Sequence, residues 1–96
     1  MATLDRNDRS LTGPEGSVKL GIITFRFVSL LAERPGKLMT TDKLMHELYG
    51  HRSDPPFDDI LRQHALIVRR AMSRIGSAAR LENVRGEGWL WRAPTV

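Results

Sequence analysis

The stretch DDILRQHALIVRRAMSRIG, residues 58–76, decides the fold of this chain. Its apolar residues recur every three or four positions, which predicts an α-helix with one buried face. These residues are Leu61, Ala65, Val68, Ala71 or Met72, and Ile75. Asp58 or Asp59 is placed to cap the first turn, and Gly76 follows the last apolar residue as a stop signal.

The opposite face of this predicted helix is basic. It consists of Arg62, Gln63, Leu66, Arg69, Arg70, Ser73 and Arg74. An α-helix fits the major groove of B-DNA, and arginine matches both phosphates and guanine edges. The pattern therefore favours binding to a polyanion, although a solvated helix face is the alternative that charge alone leaves open.

A β-hairpin is predicted after the helix. Residues 81–85 and 89–92 are β-prone and flank the turn Gly86-Glu87-Gly88. Arg85 lies beside the tip, where an arginine can enter the minor groove or pair with phosphate. Trp89 and Trp91 share one strand face, which favours core packing, with base stacking as the alternative.

Two more helices are predicted before the basic one. Apolar spacing indicates a helix over residues 22–34, which Pro35-Gly36 ends. A short extended connection at residues 37–39 leads to a second helix ending near Tyr49, with Thr40 or Thr41 as its N-cap. A polar loop with two prolines follows at residues 51–56.

The amino terminus carries weaker signals. Residues 1–9 are polar and without periodicity, which predicts a flexible tail before a domain over residues 10–96. Residues 10–12 and 17–20 flank a Gly-Pro-Glu-Gly turn and are predicted to pair as a short hairpin. The predicted fold class is thus α+β, with three helices between a short N-terminal hairpin and a C-terminal hairpin.

Composition limits the possible functions. The 96 residues suffice for one domain and contain no cysteine, which excludes disulfides and thiolate sites. No signal peptide and no apolar run long enough for a membrane span occurs, so an intracellular protein without a membrane partner is expected. The net charge is +4, and residues 62–96 alone carry +5, from seven arginines against two glutamates.

Enzymatic chemistry is poorly supported by the sequence. His46, His51 and His64 are scattered, and no HExxH, GxSxG or phosphate-binding glycine loop is present. No set of residues offers the spacing of a zinc site. We therefore expect no catalytic residues, no metal and no cofactor.

Three segments resemble the winged-helix effector domain of OmpR/PhoB-type transcriptional regulators. They are PGKLMTTDKLMHELYG (35–50), RRAMSRIG (69–76) and LENVRGEGWLW (81–91). The resemblance spans residues 20–91 and implies a winged helix-turn-helix fold, in a mainly bacterial family. This chain lacks the Thr and Glu that the family usually has before the first helix. Shifting the alignment by three residues gives a second possible register of the recognition helix. The N-terminal segment is shorter than the family's four-stranded sheet requires.

The resemblance also implies roles for individual residues. Arg69, Arg70 and Arg74 fall on the recognition helix, and Arg70 matches its DNA-contacting arginine. Arg85 matches the wing arginine, with Gly86 and Glu87 beside it, and Thr40 or Thr41 matches a phosphate contact. The family can use the loop at residues 51–58 to meet RNA polymerase, which here includes His51, Arg52, Ser53 and Asp54.

The sequence therefore predicts a transcriptional regulator that binds double-stranded DNA sequence-specifically, with the third helix in the major groove and the wing on the flanking backbone or minor groove. Without a receiver domain, a stand-alone regulator or an excised domain is expected. The resemblance implies tandem or dimeric binding on repeated half-sites and a cytoplasmic, nucleoid-associated location. The alternative is a protein-interaction module that binds RNA polymerase or another regulator, which the apolar pair Leu66 and Ile67 motivates.

Overall fold

Three helices lie between two small antiparallel sheets in the computed structural model, which describes residues 3–93. The elements in chain order are β1 (Thr3–Asp5), β2 (Ser10–Gly13), β3 (Gly16–Lys19), α1 (Ile22–Ala32), β4 (Met39–Thr40), α2 (Thr41–Tyr49), α3 (Ile60–Arg74), β5 (Arg80–Val84) and β6 (Gly88–Arg92). The predicted α+β class, the three helices and the C-terminal hairpin are confirmed. Among residues 3–93, none of the helices combines the length and the apolar character that a membrane-spanning segment needs.

The N-terminal sheet differs from the predicted hairpin and flexible tail. It has three strands in the order β1-β2-β3, so part of the predicted tail (residues 1–9) is an edge strand. Leu4 pairs with the fully buried Leu11 and packs on the core, which holds β1 in place. The Asp5 carboxylate accepts a hydrogen bond from the amide of Asn7 at 2.9 Å, which favours the turn into β2. Residues 1–2 lie outside the described residues.

The second sheet has the strand order β4-β6-β5. Met39, predicted to lie in an extended connection, pairs with Trp89, and Thr40 pairs with Gly88. A side chain at Gly88 would collide with the backbone of Met39, so the close approach of β4 to β6 requires glycine there. The predicted hairpin is therefore the larger part of a three-stranded sheet.

The start of α3 also differs from its prediction. Asp59 occupies the N-cap position with helical backbone angles, and its side chain makes no capping hydrogen bond. The amides of Ile60, Leu61 and Arg62 instead donate to carbonyls three residues earlier, at 3.0–3.1 Å. A turn of 3₁₀ type thus satisfies the first amides without an aspartate cap. The predicted cap of α2 is confirmed, since the Thr40 hydroxyl accepts from the amide of Lys43.

Both tryptophans belong to the core. Trp89 and Trp91 are 4% and 5% exposed, and the Trp89 ring meets Phe27 of α1 edge-on, with 5.9 Å between the ring centres. Edge-to-face packing of this kind adds to the stabilisation from burial. The core interpretation of these residues is confirmed, and base stacking by buried rings is excluded.

One part-buried polar side chain joins the three helices beside the core. The Nδ1 atom of His64 in α3 lies 2.8 Å from the hydroxyl of Thr24 in α1, and Nε2 lies 2.7 Å from the hydroxyl of Tyr49 in α2. Burial lowers the pKa of His64 from its usual 6.5, because the charged imidazolium loses hydration. Burial also raises the pKa of Tyr49, so its hydroxyl stays protonated at neutral pH.

We expect the free energy of unfolding to fall as the pH drops through 6.5. The unfolded chain takes up a proton on His64 in this range, whereas the folded chain resists it, so acid favours the unfolded state. The measurement is urea denaturation at pH 7.5 and 5.5 for the protein and for His64→Gln, which should lose much of this dependence. His51→Gln is the control, because His51 is exposed, and a dependence unchanged in His64→Gln would contradict the assignment.

Candidate nucleic-acid interface

The basic face of α3 is exposed along the whole helix. All seven residues that the sequence places on this face are exposed: Arg62, Gln63, Leu66, Arg69, Arg70, Ser73 and Arg74. The opposite side is fixed in the core by Leu61, Ala65, Val68 and Met72, each at most 5% exposed. Burial of one side therefore determines which residues α3 presents to a partner.

The end of α3 is set by its backbone. The amide of Ser77 donates to the carbonyl of Met72 at 2.9 Å, and the amide of Gly76 donates to that of Ser73 at 3.3 Å. With Gly76 at φ +71°, this is a Schellman motif, which stops the helix and turns the chain towards β5. The amide of Glu15, in the turn between β2 and β3, caps the carbonyl of Ile75 at 2.9 Å.

The turn between β5 and β6 presents the predicted wing residues. Arg85, Gly86 and Glu87 are all exposed. The amide of Glu87 donates to the carbonyl of Val84 at 2.9 Å, and Gly86 has the left-handed φ of +77° that glycine tolerates best. The tight turn leaves the side chain of Arg85 at the tip of the hairpin, beside α3.

A groove of about 600 Å³ separates α3 from the hairpin. Its walls are Arg62, Leu66, Arg69, Asn83, Arg85 and Trp89. Three arginines from two elements thus face one concave surface. Of these lining residues, Asn83 was not identified from the sequence. Its side-chain amide donates to the carbonyl of Gly88 at 3.0 Å across the hairpin, so it braces the turn.

Arg69 connects α3 to the hairpin within the protein. Its guanidinium donates to the carbonyl of Leu81 at 2.9 Å and lies over the Trp89 ring, 5.6 Å from the ring centre. The sequence predicts that Arg69 binds DNA beside Arg70. In the structure, the guanidinium of Arg69 holds α3 against β5 through this hydrogen bond. Arg69 therefore positions the two elements relative to each other.

Thr40 and Thr41 are also engaged within the protein. The hydroxyl of Thr40 caps α2 at 3.2 Å, and the amide of Thr41 donates to the carbonyl of Glu87 at 3.2 Å. The start of α2 is therefore tied to the tip of the hairpin. These bonds use two of the groups with which a helix N-terminus would bind a phosphate.

Acidic side chains border this end of the interface. A second cavity, of about 680 Å³, lies between the starts of α2 and α3 and the hairpin turn. Its lining includes Asp42, Asp58, Asp59 and Glu87 against the single arginine Arg62. The local potential here disfavours phosphates, so the acidic edge limits where a polyanion can lie.

The loop between α2 and α3 lies outside the groove lining. His51, Arg52, Ser53 and Asp54 are all exposed. The guanidinium of Arg52 lies 5.9 Å from the centre of the Tyr49 ring, which anchors the start of the loop. Phe57 at the end of the loop is 87% exposed, the largest exposure among the large apolar residues of the described part of the chain.

In the part of the chain that the structure describes, no group of histidine and carboxylate side chains is placed to hold a metal ion. His64 is bound to two hydroxyls in the core, and His46 and His51 are exposed on different elements. The Thr24 hydroxyl beside His64 belongs to a residue that is only 5% exposed, so it is not accessible to a substrate. The arrangement suits binding to an extended anionic surface.

A three-helix core with a basic helix beside a β-hairpin defines a winged helix-turn-helix domain of the DNA-binding class. The chain belongs to the family described as transcriptional regulatory protein, C terminal, whose model matches residues 15–91. This is the OmpR/PhoB-type DNA-binding domain, a family of transcription regulators and not of enzymes. Residues 3–93 contain this domain and no receiver domain.

Solved structures share the fold at low sequence identity. The DNA-binding domain of the response regulator AdeR, in complex with an intercistronic region, is 20% identical, with a TM-score of 0.78 over 97% of this chain and 95% of that one. The CpxR domain from E. coli is 22% identical, with a TM-score of 0.78 over 98% and 92%. The Klebsiella pneumoniae RstA domain, in complex with the RstA box, is 23% identical, with a TM-score of 0.68 over 95% and 90%. No curated protein sequence matches the chain significantly.

Replacing Arg69 with alanine is expected to lower the free energy of unfolding by about 1–3 kcal/mol. The change removes a hydrogen bond to the Leu81 carbonyl and a cation–π contact with Trp89. The measurement is urea denaturation at neutral pH.

Arg70→Ala is the matched control for this stability effect. Arg70 is the adjacent arginine and is exposed on the same helix, and surface substitutions usually change stability by less than about 0.5 kcal/mol. Equal losses in the two variants would contradict a positioning role for Arg69.

Proposed function

We propose that this chain binds double-stranded DNA sequence-specifically and regulates transcription, with α3 in the major groove and the hairpin on the flanking backbone or minor groove. The observation that carries this proposal is the groove where Arg62, Arg69 and Arg85 converge from α3 and the hairpin. A helix of this width enters the major groove, and the hairpin beside it is placed to meet the next stretch of backbone.

The charge distribution supports DNA over an uncharged ligand. The exposed face of α3 carries Arg62, Arg70 and Arg74, and no acidic residue lies within that helix. Four acidic residues line the neighbouring cavity at the starts of α2 and α3, which would orient the duplex away from the start of α2. The structural neighbours AdeR and RstA are described in complex with DNA, which agrees with this proposal.

Tandem or dimeric binding is the mode that membership of this family implies, and the small size of the domain supports it. A single small module buries about 600–1,000 Å² on DNA, which limits the affinity of one copy. Two copies on repeated half-sites would raise both affinity and specificity. Such binding would place the protein with the nucleoid, in the cytoplasm.

RNA polymerase or another regulator is the second candidate partner. The exposed loop residues 51–54 and the 87% exposed Phe57 favour it, because a large aromatic ring free of the core is typical of protein contacts. The loop does not line the groove, so the two partners would use separate surfaces.

Selection of bound duplexes from a random pool by the purified protein tests the proposed function. A shared motif, or two copies of it at fixed spacing, is expected. If no motif is enriched while RNA polymerase is retained stoichiometrically, the second candidate becomes the function.

Arg70→Ala is expected to weaken binding to the selected duplex by about 1–3 kcal/mol, because a bidentate contact to guanine is lost. Fluorescence anisotropy with the selected duplex and a scrambled duplex measures this. Arg26→Ala on α1, whose exposed side chain lies 4.0 Å from Glu47, removes the same charge elsewhere. An unchanged affinity in Arg70→Ala would remove Arg70 from the base contacts.

Arg85→Ala is expected to weaken binding to all duplexes alike and to reduce the salt dependence by about one counterion. The measurement is the slope of log affinity against log salt concentration, for selected and scrambled duplexes. A loss confined to the selected duplex would instead assign Arg85 to base recognition in a groove.

A further inference from the structure

Leu66 is the apolar residue at the centre of the basic face of α3. Its side chain is 49% exposed. The positions three and four residues away on either side hold the polar residues Arg62, Gln63, Arg69 and Arg70. Such positions are its neighbours on the helix surface. Leu66 also lines the groove between α3 and the hairpin, so it faces the proposed DNA surface and not the core.

The surroundings of Leu66 indicate its partner. The arginines at 62, 69 and 85 line the same groove, and no carboxylate is among its lining residues. This charge complements DNA and would repel a basic protein surface. In the major groove the apolar group that base pairs present is the C5 methyl of thymine.

We propose that Leu66 packs on the C5 methyl of a thymine and so specifies a T·A pair in the bound site. The proposal rests on the proposed function, since it requires α3 to enter the major groove. Leu66 and Arg70 are four residues apart, a rise of about 6 Å along the helix, and bases along a strand are spaced about 3.4 Å. The thymine therefore lies within two base pairs of the position that Arg70 contacts.

Ile67 is the matched control that the chain provides. It is 47% exposed, aliphatic and adjacent to Leu66. It is rotated about 100° around the helix, and it does not line the groove between α3 and the hairpin. Ile67→Ala removes a comparable apolar side chain from the same helix without touching the proposed contact.

The experiment replaces each thymine of the selected duplex in turn with deoxyuridine, which removes only the methyl group. At one position within two base pairs of the Arg70 contact, the protein should lose about fourfold in affinity, the equivalent of burying one methyl group. Leu66→Ala should bind the thymine and deoxyuridine duplexes equally, whereas Ile67→Ala should keep the fourfold ratio. Anisotropy at fixed salt measures all six combinations of the three proteins with the two duplexes, and circular dichroism confirms that both variants fold.

Two results would overturn the proposal while leaving DNA binding intact. One is a thymine preference that persists in Leu66→Ala, and the other is a preference that Ile67→Ala abolishes instead. If the selection enriches no duplex, the proposed function itself fails and this contact fails with it. If Leu66→Ala binds every duplex like the unchanged protein but no longer retains RNA polymerase, Leu66 belongs to a protein interface.

Discussion

The packing of α3 against the C-terminal sheet at Trp89 is the contact on which the rest of the structure depends. The Trp89 ring meets Phe27 of α1 on one side and the guanidinium of Arg69 on another, so it joins two helices to the hairpin. The Arg69 bond to the Leu81 carbonyl and the Thr41 bond to the Glu87 carbonyl extend this connection. As a result, α3 and the hairpin form one surface with a fixed relative position, which recognition by two elements requires.

Local patterns in the sequence were sufficient to predict the elements that depend on local physics. The apolar period of residues 58–76 defined α3, and the two glycines around Glu87 defined the hairpin turn. Strands β1 and β4 could not be predicted in this way. Strand β1 has the one apolar residue Leu4, whose packing on the core a local pattern does not show. Strand β4 is two residues long and exists only through pairing with the distant β6. The prediction that Asp58 or Asp59 caps α3 was wrong, because backbone carbonyls in a 3₁₀ turn accept from the first amides of the helix instead.

The candidate site shows the same division between local and tertiary information. Helical periodicity correctly placed all seven residues of the basic face at the surface. It could not separate Arg69 from Arg70, since only the distant Leu81 carbonyl and Trp89 ring distinguish the two arginines. The acidic edge could not be predicted from the sequence either, because Asp42, Asp58 and Glu87 are far apart in the chain and come together only in the fold. That edge sets one boundary of the proposed DNA surface.

An NMR titration tests most directly whether α3 and the hairpin act as one DNA surface. In it, the selected duplex is added stepwise to the isotope-labelled protein. We expect the signals of Arg70 and Leu66 in α3 to shift together with those of Arg85 in the hairpin, at the same ratio of duplex to protein. Signals of the loop at residues 51–54 should stay in place. Shifts confined to that loop, or to only one of the two elements, would contradict a single surface built on the Trp89 contact.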